Sequence, residues 1–172
     1  MRKNIVLLTF ILLILIIIFY GINISRSAVE DTEVEVLVRN LDTPWAIDFL
    51  PDDRMIFTER HGRVSIVDND KLKVVSNIAV SEVSESGLLG VAVDPEFSKN
   101  RFVYLYYTHE NANRVSRFAL NEALVDEFVL LDNIPNARFH DGGRIKFGPD
   151  GMLYITTGDA TNPSSSQDIN SL

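Results

Sequence analysis

The 172-residue sequence contains no cysteine. That excludes disulfides, thiolate-held zinc and iron–sulfur clusters, and it leaves the compartment open. Basic residues are scarce: 16 Lys and Arg stand against 24 Asp and Glu, a formal net charge of −8. Two of the basic residues, Arg2 and Lys3, sit at the extreme N-terminus, so the body is more acidic still. Such a surface repels phosphate backbones and no basic cluster interrupts it, so nucleic acid is not an expected partner. The sequence also lacks a Gly-rich phosphate loop, a dinucleotide fingerprint and a Gly-x-Ser-x-Gly elbow. Phosphoryl transfer, NAD chemistry and serine hydrolysis are therefore unsupported. No Asp-x-Asp-x-Asp-Gly loop announces an EF-hand. No segment of the body keeps a sustained 3.6-residue apolar period, so amphipathic helices are not expected there.

What is present begins with a long apolar run. Arg2 and Lys3 precede Ile5 to Tyr20, in which Thr9 is the only polar residue. A helix of ~20 apolar residues spans a ~30 Å hydrocarbon core, and a basic start keeps the N-terminus cytoplasmic. Residues 1–24 are therefore expected to be a transmembrane anchor, with residues 5–24 in the membrane. The alternative is a cleaved signal segment, against which stand the long apolar run and the poor cleavage site Ser25-Arg26-Ser27-Ala28. Either way the rest of the chain is expected outside the cytoplasm, membrane-anchored in the first case and secreted or periplasmic in the second. Residues 25–35 are polar and acidic and read as a stalk.

From residue 36 onward the chain is strand-like, with Val, Ile, Phe and Tyr alternating with polar residues between Gly, Pro, Asp and Asn breaks. The clearest strands are Ala46–Phe49, Met55–Thr58, Val64–Val67, Leu89–Val93, Phe102–Thr108, Val115–Phe118, Arg144–Phe147 and Leu153–Thr157. Asn121–Phe128 reads as a loop or a short helical turn. A strand, a Pro-acidic turn and a second strand recur around Pro51, Pro95 and Pro149, which lie 44 and 54 residues apart. A period of ~40–50 residues built from short strands is the signature of a β-propeller. Residues 36–172 hold about three such units, whereas a propeller closes with ~4–8 blades. An all-β fold is expected, a partial propeller of about three blades, with the chain as the N-terminal part of something longer.

The richest segment is Phe139 to Ala160: His140-Asp141-Gly142-Gly143-Arg144, a strand, a Pro149-Asp150-Gly151 turn, and a second strand ending in Gly158-Asp159. The turn places His140 and Asp159 at the ends of neighbouring strands, a base and an orienting carboxylate. His61 reads as a turn residue, His109 as a solvated strand end, Asp94 and Asp150 as turn acids, and Ser164-Ser165-Ser166 as a loop. Trp45, the only Trp, reads as core packing, with sugar stacking as its alternative.

Taken in order, several segments form a family pattern. They are Leu41-Asp42-Thr43-Pro44-Trp45-Ala46-Ile47, Thr58-Glu59-Arg60-His61-Gly62-Arg63-Val64, Glu85-Ser86-Gly87-Leu88-Leu89-Gly90 with Val91-Ala92-Val93-Asp94-Pro95, Asn113-Arg114-Val115-Ser116-Arg117-Phe118, His140-Asp141-Gly142-Gly143-Arg144-Ile145, Thr157-Gly158-Asp159 and Ser166-Gln167-Asp168-Ile169-Asn170-Ser171-Leu172. The chain thereby resembles the aldose, glucose and sorbosone dehydrogenases that use pyrroloquinoline quinone (PQQ), which are six-bladed propellers.

The resemblance implies oxidation of the C1 hydroxyl of an aldose sugar to a lactone, with hydride passing to the quinone and electrons leaving to an external acceptor. It implies His140 as the catalytic base, Asp159 as its supporting carboxylate and Glu85 as a substrate-binding residue at the mouth. PQQ and calcium are the implied cofactors. The family's quinone contacts and calcium ligands fall mostly beyond Leu172, so the cofactor-binding residues stay unassigned, no metal ligand is expected within these residues, and the chain alone is expected to be inactive. Phe139 stands where glucose-oxidising members can carry an Asp, which weakens the argument for glucose in particular. The alternative is a non-catalytic extracytoplasmic propeller that binds a carbohydrate or protein partner, since fold does not fix function. A metal-dependent propeller lactonase is a third, weaker option, because the sequence shows no convergent set of acids for its metal.

Overall fold

The structure, a computed structural model, describes residues 11–17 and 34–171. Contacts divide the chain into a unit of residues 1–36 and a unit of residues 37–172. In the first, residues 11–17 are helical with exposed apolar side chains. Among the described residues no helix is long and apolar enough to cross a membrane. The anchor or signal expected over residues 1–24 and the stalk of 25–35 lie largely outside the described residues.

The second unit is a series of antiparallel sheets. Strands β1 (Pro44–Phe49), β2 (Met55–Glu59), β3 (Arg63–Asp68) and β4 (Lys71–Asn77) form one four-stranded sheet in sequential order. Strands β5 (Leu88–Val93), β6 (Phe102–His109), β7 (Ala112–Leu120) and β8 (Leu124–Ile134) form a second. Strands β9 (Gly142–Phe147) and β10 (Leu153–Thr157) pair as a hairpin. The first strands pack side by side, β1 on β5 and β5 on β9. The sheets form a partial propeller arc, two four-stranded blades and a hairpin of a third, in line with the expected partial propeller.

Alternation with period two explains how one sheet serves two cores. Leu88, Val91, Leu105 and Tyr107 face the first sheet, in a cluster with Ala46, Ile56, Val64 and Ile66. Their chain neighbours Leu89, Ala92 and Tyr106 face the other way, in a cluster with Val115, Ile134 and Ile145. The middle blade is thus buried on both faces, which is why β5 is apolar throughout. Polar bridges tie the blades together: the Thr58 hydroxyl donates to the Leu89 carbonyl (2.7 Å), and the Val93 amide donates to the Asp48 carboxylate (2.8 Å).

The repeated turn is real at the level of hydrogen bonds. Leu50 N donates to Arg54 O (2.8 Å) in the first copy, as Gly148 N does to Met152 O (2.9 Å) in the last. The matching residues Asp53 and Gly151 both take positive φ, 64° and 76°. The Pro95 copy differs by inserting a four-residue helix, α1 (Phe97–Asn100). Two strands have no counterpart in the sequence expectation. β4 carries no strand signal of its own, and β8 replaces the loop or helical turn expected over Asn121–Phe128. Both are the fourth, outer strand of a blade, with largely exposed side chains, so they lack the buried alternation that marks a strand in sequence.

Candidate active site

The β9–β10 register builds the site. Gly142 pairs with Thr157. Two residues before Gly142 is His140, and two beyond Thr157 is Asp159, so the pairing continues directly into these side chains. His140 Nδ1 lies 2.8 Å from Asp159 Oδ1. The approach is possible only because position 158 is glycine: a Cβ there would sit 1.6 Å from the His140 carbonyl oxygen. Gly142 is equally constrained, with φ +70° and an ideal Cβ 2.5 Å from Gly158 N. His140 itself holds φ 66°, a left-handed conformation rare outside glycine.

Anchors on both sides hold that conformation. The His140 carbonyl accepts from Ala160 N (3.2 Å), and the His140 amide donates to Glu85 Oε2 (2.7 Å). Glu85 N in turn donates to Arg138 O (3.2 Å). The three residues named from sequence, Glu85, His140 and Asp159, are therefore brought together, from the turn before β5, the β8–β9 loop and the end of β10. Glu85 sits differently from a free mouth residue, because one of its oxygens is engaged by the His140 backbone.

The electrostatics fix the tautomer. The hydrogen bond from His140 holds the Asp159 carboxyl below its ordinary range, with a further backbone bond from Thr161 N (2.9 Å). An ionised carboxylate only accepts, so the proton of a neutral His140 lies on Nδ1 and the Nε2 lone pair is free. The His140 side chain is 61% exposed, which leaves that nitrogen open to a ligand. The arrangement can take a proton from a hydroxyl.

Beside Asp159 lies a polar cleft of about 290 Å³, lined by Thr157, Gly158, Asp159, Ser165, Ser166 and Asp168 among others. A second cleft of about 330 Å³, lined by Leu37, Trp45, Ile47, Met55 and Phe57, is apolar and has no titratable group. Trp45 belongs to that cleft, is 37% exposed, and shares nothing with the His140 site. It is thus neither the buried core residue expected nor a sugar platform beside His140. The expected turn and strand-end roles hold: His61 lies in the β2–β3 turn near Asp42 (3.8 Å) and His109 ends β6. Among the described residues no group of three or more His, Asp or Glu is placed to hold a metal.

Sequence reasoning missed Asp141. It is 1% exposed, immediately follows His140, and receives bonds from Ala137 N (3.0 Å) and Asn113 Nδ2 (3.2 Å). Its one signal was a carboxylate inside a Gly-rich turn, which reads as solvated until its distant partners are known.

PQQ is a tricarboxylate and calls for cationic partners. The charges meeting at His140 are instead the carboxylates of Glu85 and Asp159, and the nearby Arg138 and Arg144 are exposed side chains. Among the described residues, the side chains hydrogen-bonded at His140 supply a base and its carboxylate partners, and no cation for the quinone's carboxylates.

Three similarities bear on this geometry. The PQQ-bound aldose sugar dehydrogenase of Streptomyces coelicolor superposes with a TM-score of 0.78 at 32% identity, over 81% of this chain and 45% of that one. Quinoprotein glucose dehydrogenase B of Acinetobacter calcoaceticus is 27% identical over 154 residues, 78% of this chain and 32% of that protein. Hedgehog-interacting protein of mouse and human is 36% identical over 91 residues, 44% of this chain and 13% of that protein. The chain thus spans less than half the length of these relatives. Residues 41–172 match the glucose/sorbosone dehydrogenase family model. The chain belongs to the glucose/sorbosone dehydrogenase family.

Proposed function

We propose that this chain supplies the base side of a PQQ-dependent aldose dehydrogenase, which oxidises the C1 hydroxyl of a sugar to the lactone. The observation that carries the reading is the 2.8 Å contact between an exposed His140 and an ionised Asp159. Asp159 holds the proton on Nδ1 and favours the imidazolium that forms. Nε2 takes the proton of the C1 hydroxyl as the C1–H bond breaks, a contribution of about 10²–10⁴ in rate for a positioned base. Glu85 fixes the His140 backbone with one oxygen and offers the rest of its carboxylate to the sugar. The polar cleft of Ser165, Ser166 and Asp168 suits a polyhydroxylated ligand. PQQ, when bound, supplies the hydride acceptor. We place its ligands, and those of a calcium ion, outside the described residues, and an external carrier as the final acceptor. We also place the propeller on the extracytoplasmic side, anchored through residues 5–24, on the strength of the basic–apolar N-terminus.

A second reading is a propeller that binds a partner without chemistry, favoured by the likeness to Hedgehog-interacting protein. The two are separated by reconstituting the full-length protein with PQQ and calcium and following aldose-dependent dye reduction for the parent and for His140→Ala. Activity that needs PQQ and falls at least 10²-fold in the variant is the expected result. A folded parent that binds no quinone and oxidises none of a broad aldose panel leaves the binding reading.

A further inference from the structure

One buried polar cluster has no part in the chemistry above. Thr108, Asn113 and Asp141 are all essentially inaccessible. Thr108 and Asn113 face each other across the β6–β7 hairpin. The Thr108 hydroxyl donates to Asn113 Oδ1 (2.6 Å), and Asn113 Nδ2 donates to Asp141 Oδ1 (3.2 Å) and to the Pro135 carbonyl (3.1 Å). At one end of this chain Gly87 N donates to the Thr108 hydroxyl (3.1 Å), two residues from Glu85. At the other end Asp141 adjoins His140, its Oδ1 also accepting from Ala137 N, and its carbonyl accepting from the Tyr106 hydroxyl (2.9 Å). Burial raises the Tyr106 pKa, so that hydroxyl stays a donor.

The circuit closes on itself, because the His140 amide returns to Glu85 Oε2. A carboxyl at position 141 is also costly. Its Oδ2 is buried without a partner, while its Oδ1 satisfies the Ala137 and Asn113 donors.

We propose that Asp141 is a positioning residue: through Asn113 and Thr108 it ties the Glu85 turn to the His140 turn, and so holds the imidazole against Asp159. The proposal deepens the role given to His140 and rests on it, but its test needs neither sugar nor quinone. The sequence has three histidines, so the ring nitrogens of the full chain, labelled with ¹⁵N-histidine, can be resolved and assigned by His140→Gln.

In the parent, the neutral His140 ring carries its proton on Nδ1, facing Asp159, whereas a free neutral imidazole side chain prefers Nε2–H. In Asp141→Ala the Nδ1–H to Nε2–H ratio should fall at least about fivefold, with His61 and His109 unmoved, because the turn loses two of its anchors. Asp141→Asn should restore the parent ratio to within about twofold, since an amide oxygen still accepts from Ala137 and Asn113. Thr108→Val, which keeps shape and cuts the link, should lower the ratio about twofold or more, and it carries the test if Asp141→Ala does not fold. A parent-like ratio in folded Asp141→Ala or Thr108→Val, or a loss in Asp141→Asn equal to that in Asp141→Ala, overturns the proposal. Aldose oxidation measured on the full-length protein separates the two levels: a parent that oxidises no sugar sinks the base reading, while the ring ratios alone decide whether Asp141 clamps the imidazole.

Discussion

Gly158→Ala is the sharpest single perturbation of this site. The new methyl carbon would stand 1.6 Å from the His140 carbonyl oxygen and 2.3 Å from its carbon, both backbone atoms. To reach even 3.0 Å the oxygen must retreat by about 1.4 Å, the shortfall from the closest tolerable contact. The His140 carbonyl also accepts from Ala160 N, so the retreat breaks that bond and pulls His140 from Asp159. Overpacking of this kind costs about 1–3 kcal/mol. For a unit of this size that lowers Tm by roughly 3–12 °C. The effect on rate is larger than the effect on stability, since a 1 Å misplacement of a catalytic group costs about 10². In full-length protein reconstituted with PQQ and calcium, kcat for an aldose should fall about 10²-fold, with KM within a few-fold, while circular dichroism shows the β-fold intact. Folded Gly158→Ala with kcat within threefold of the parent would refute the claim that this glycine sets the His140–Asp159 geometry.

Other outcomes follow from the same packing. Leu105→Ala, in the core between the first two blades, should cost about 2–5 kcal/mol by denaturant unfolding, because its site is fully enclosed. Arg63→Ala leaves the buried Glu59 carboxylate without its guanidinium and should cost about 2 kcal/mol, between the surface and fully buried cases, since Arg63 reaches solvent. The Arg63 hydrogen bonds hold the Glu59 pKa below its unfolded value, so that contribution is complete above the unfolded carboxylate range and is lost as pH falls through the folded pKa. A Tm–pH profile should therefore drop more steeply on the acid side for the parent than for Glu59→Gln, and parallel profiles would contradict it. Asp159 obeys the same sign through its bond from His140: the Nδ1–H signal of that bond should persist as pH falls until Asp159 is protonated, and should be lost in Asp159→Ala, which has no acceptor.

The amino-acid sequence by itself determined the strand class, the repeat and the central pair of the site. The strands β2, β3 and β5–β7 are largely buried, and β1, β9 and β10 also carry apolar residues in alternation, so all of these can be read residue by residue. His140 and Asp159 were legible because a tight Pro149-Asp150-Gly151 turn fixes the hairpin register, and register alone sets which residues face each other at its open end. The outer strands β4 and β8 were not legible, since exposed side chains are free to be of any kind.

Only the tertiary structure decided what Asp141 is for and how Glu85 is used. Asp141 depends on Asn113 and Thr108, 28 and 33 residues away, and Glu85 reaches His140 across 55 residues. No local pattern encodes such contacts, because packing of one blade against the next creates them. Glycine at 158 belongs to both levels: its identity is plain in the sequence, and its necessity exists only where two backbones meet.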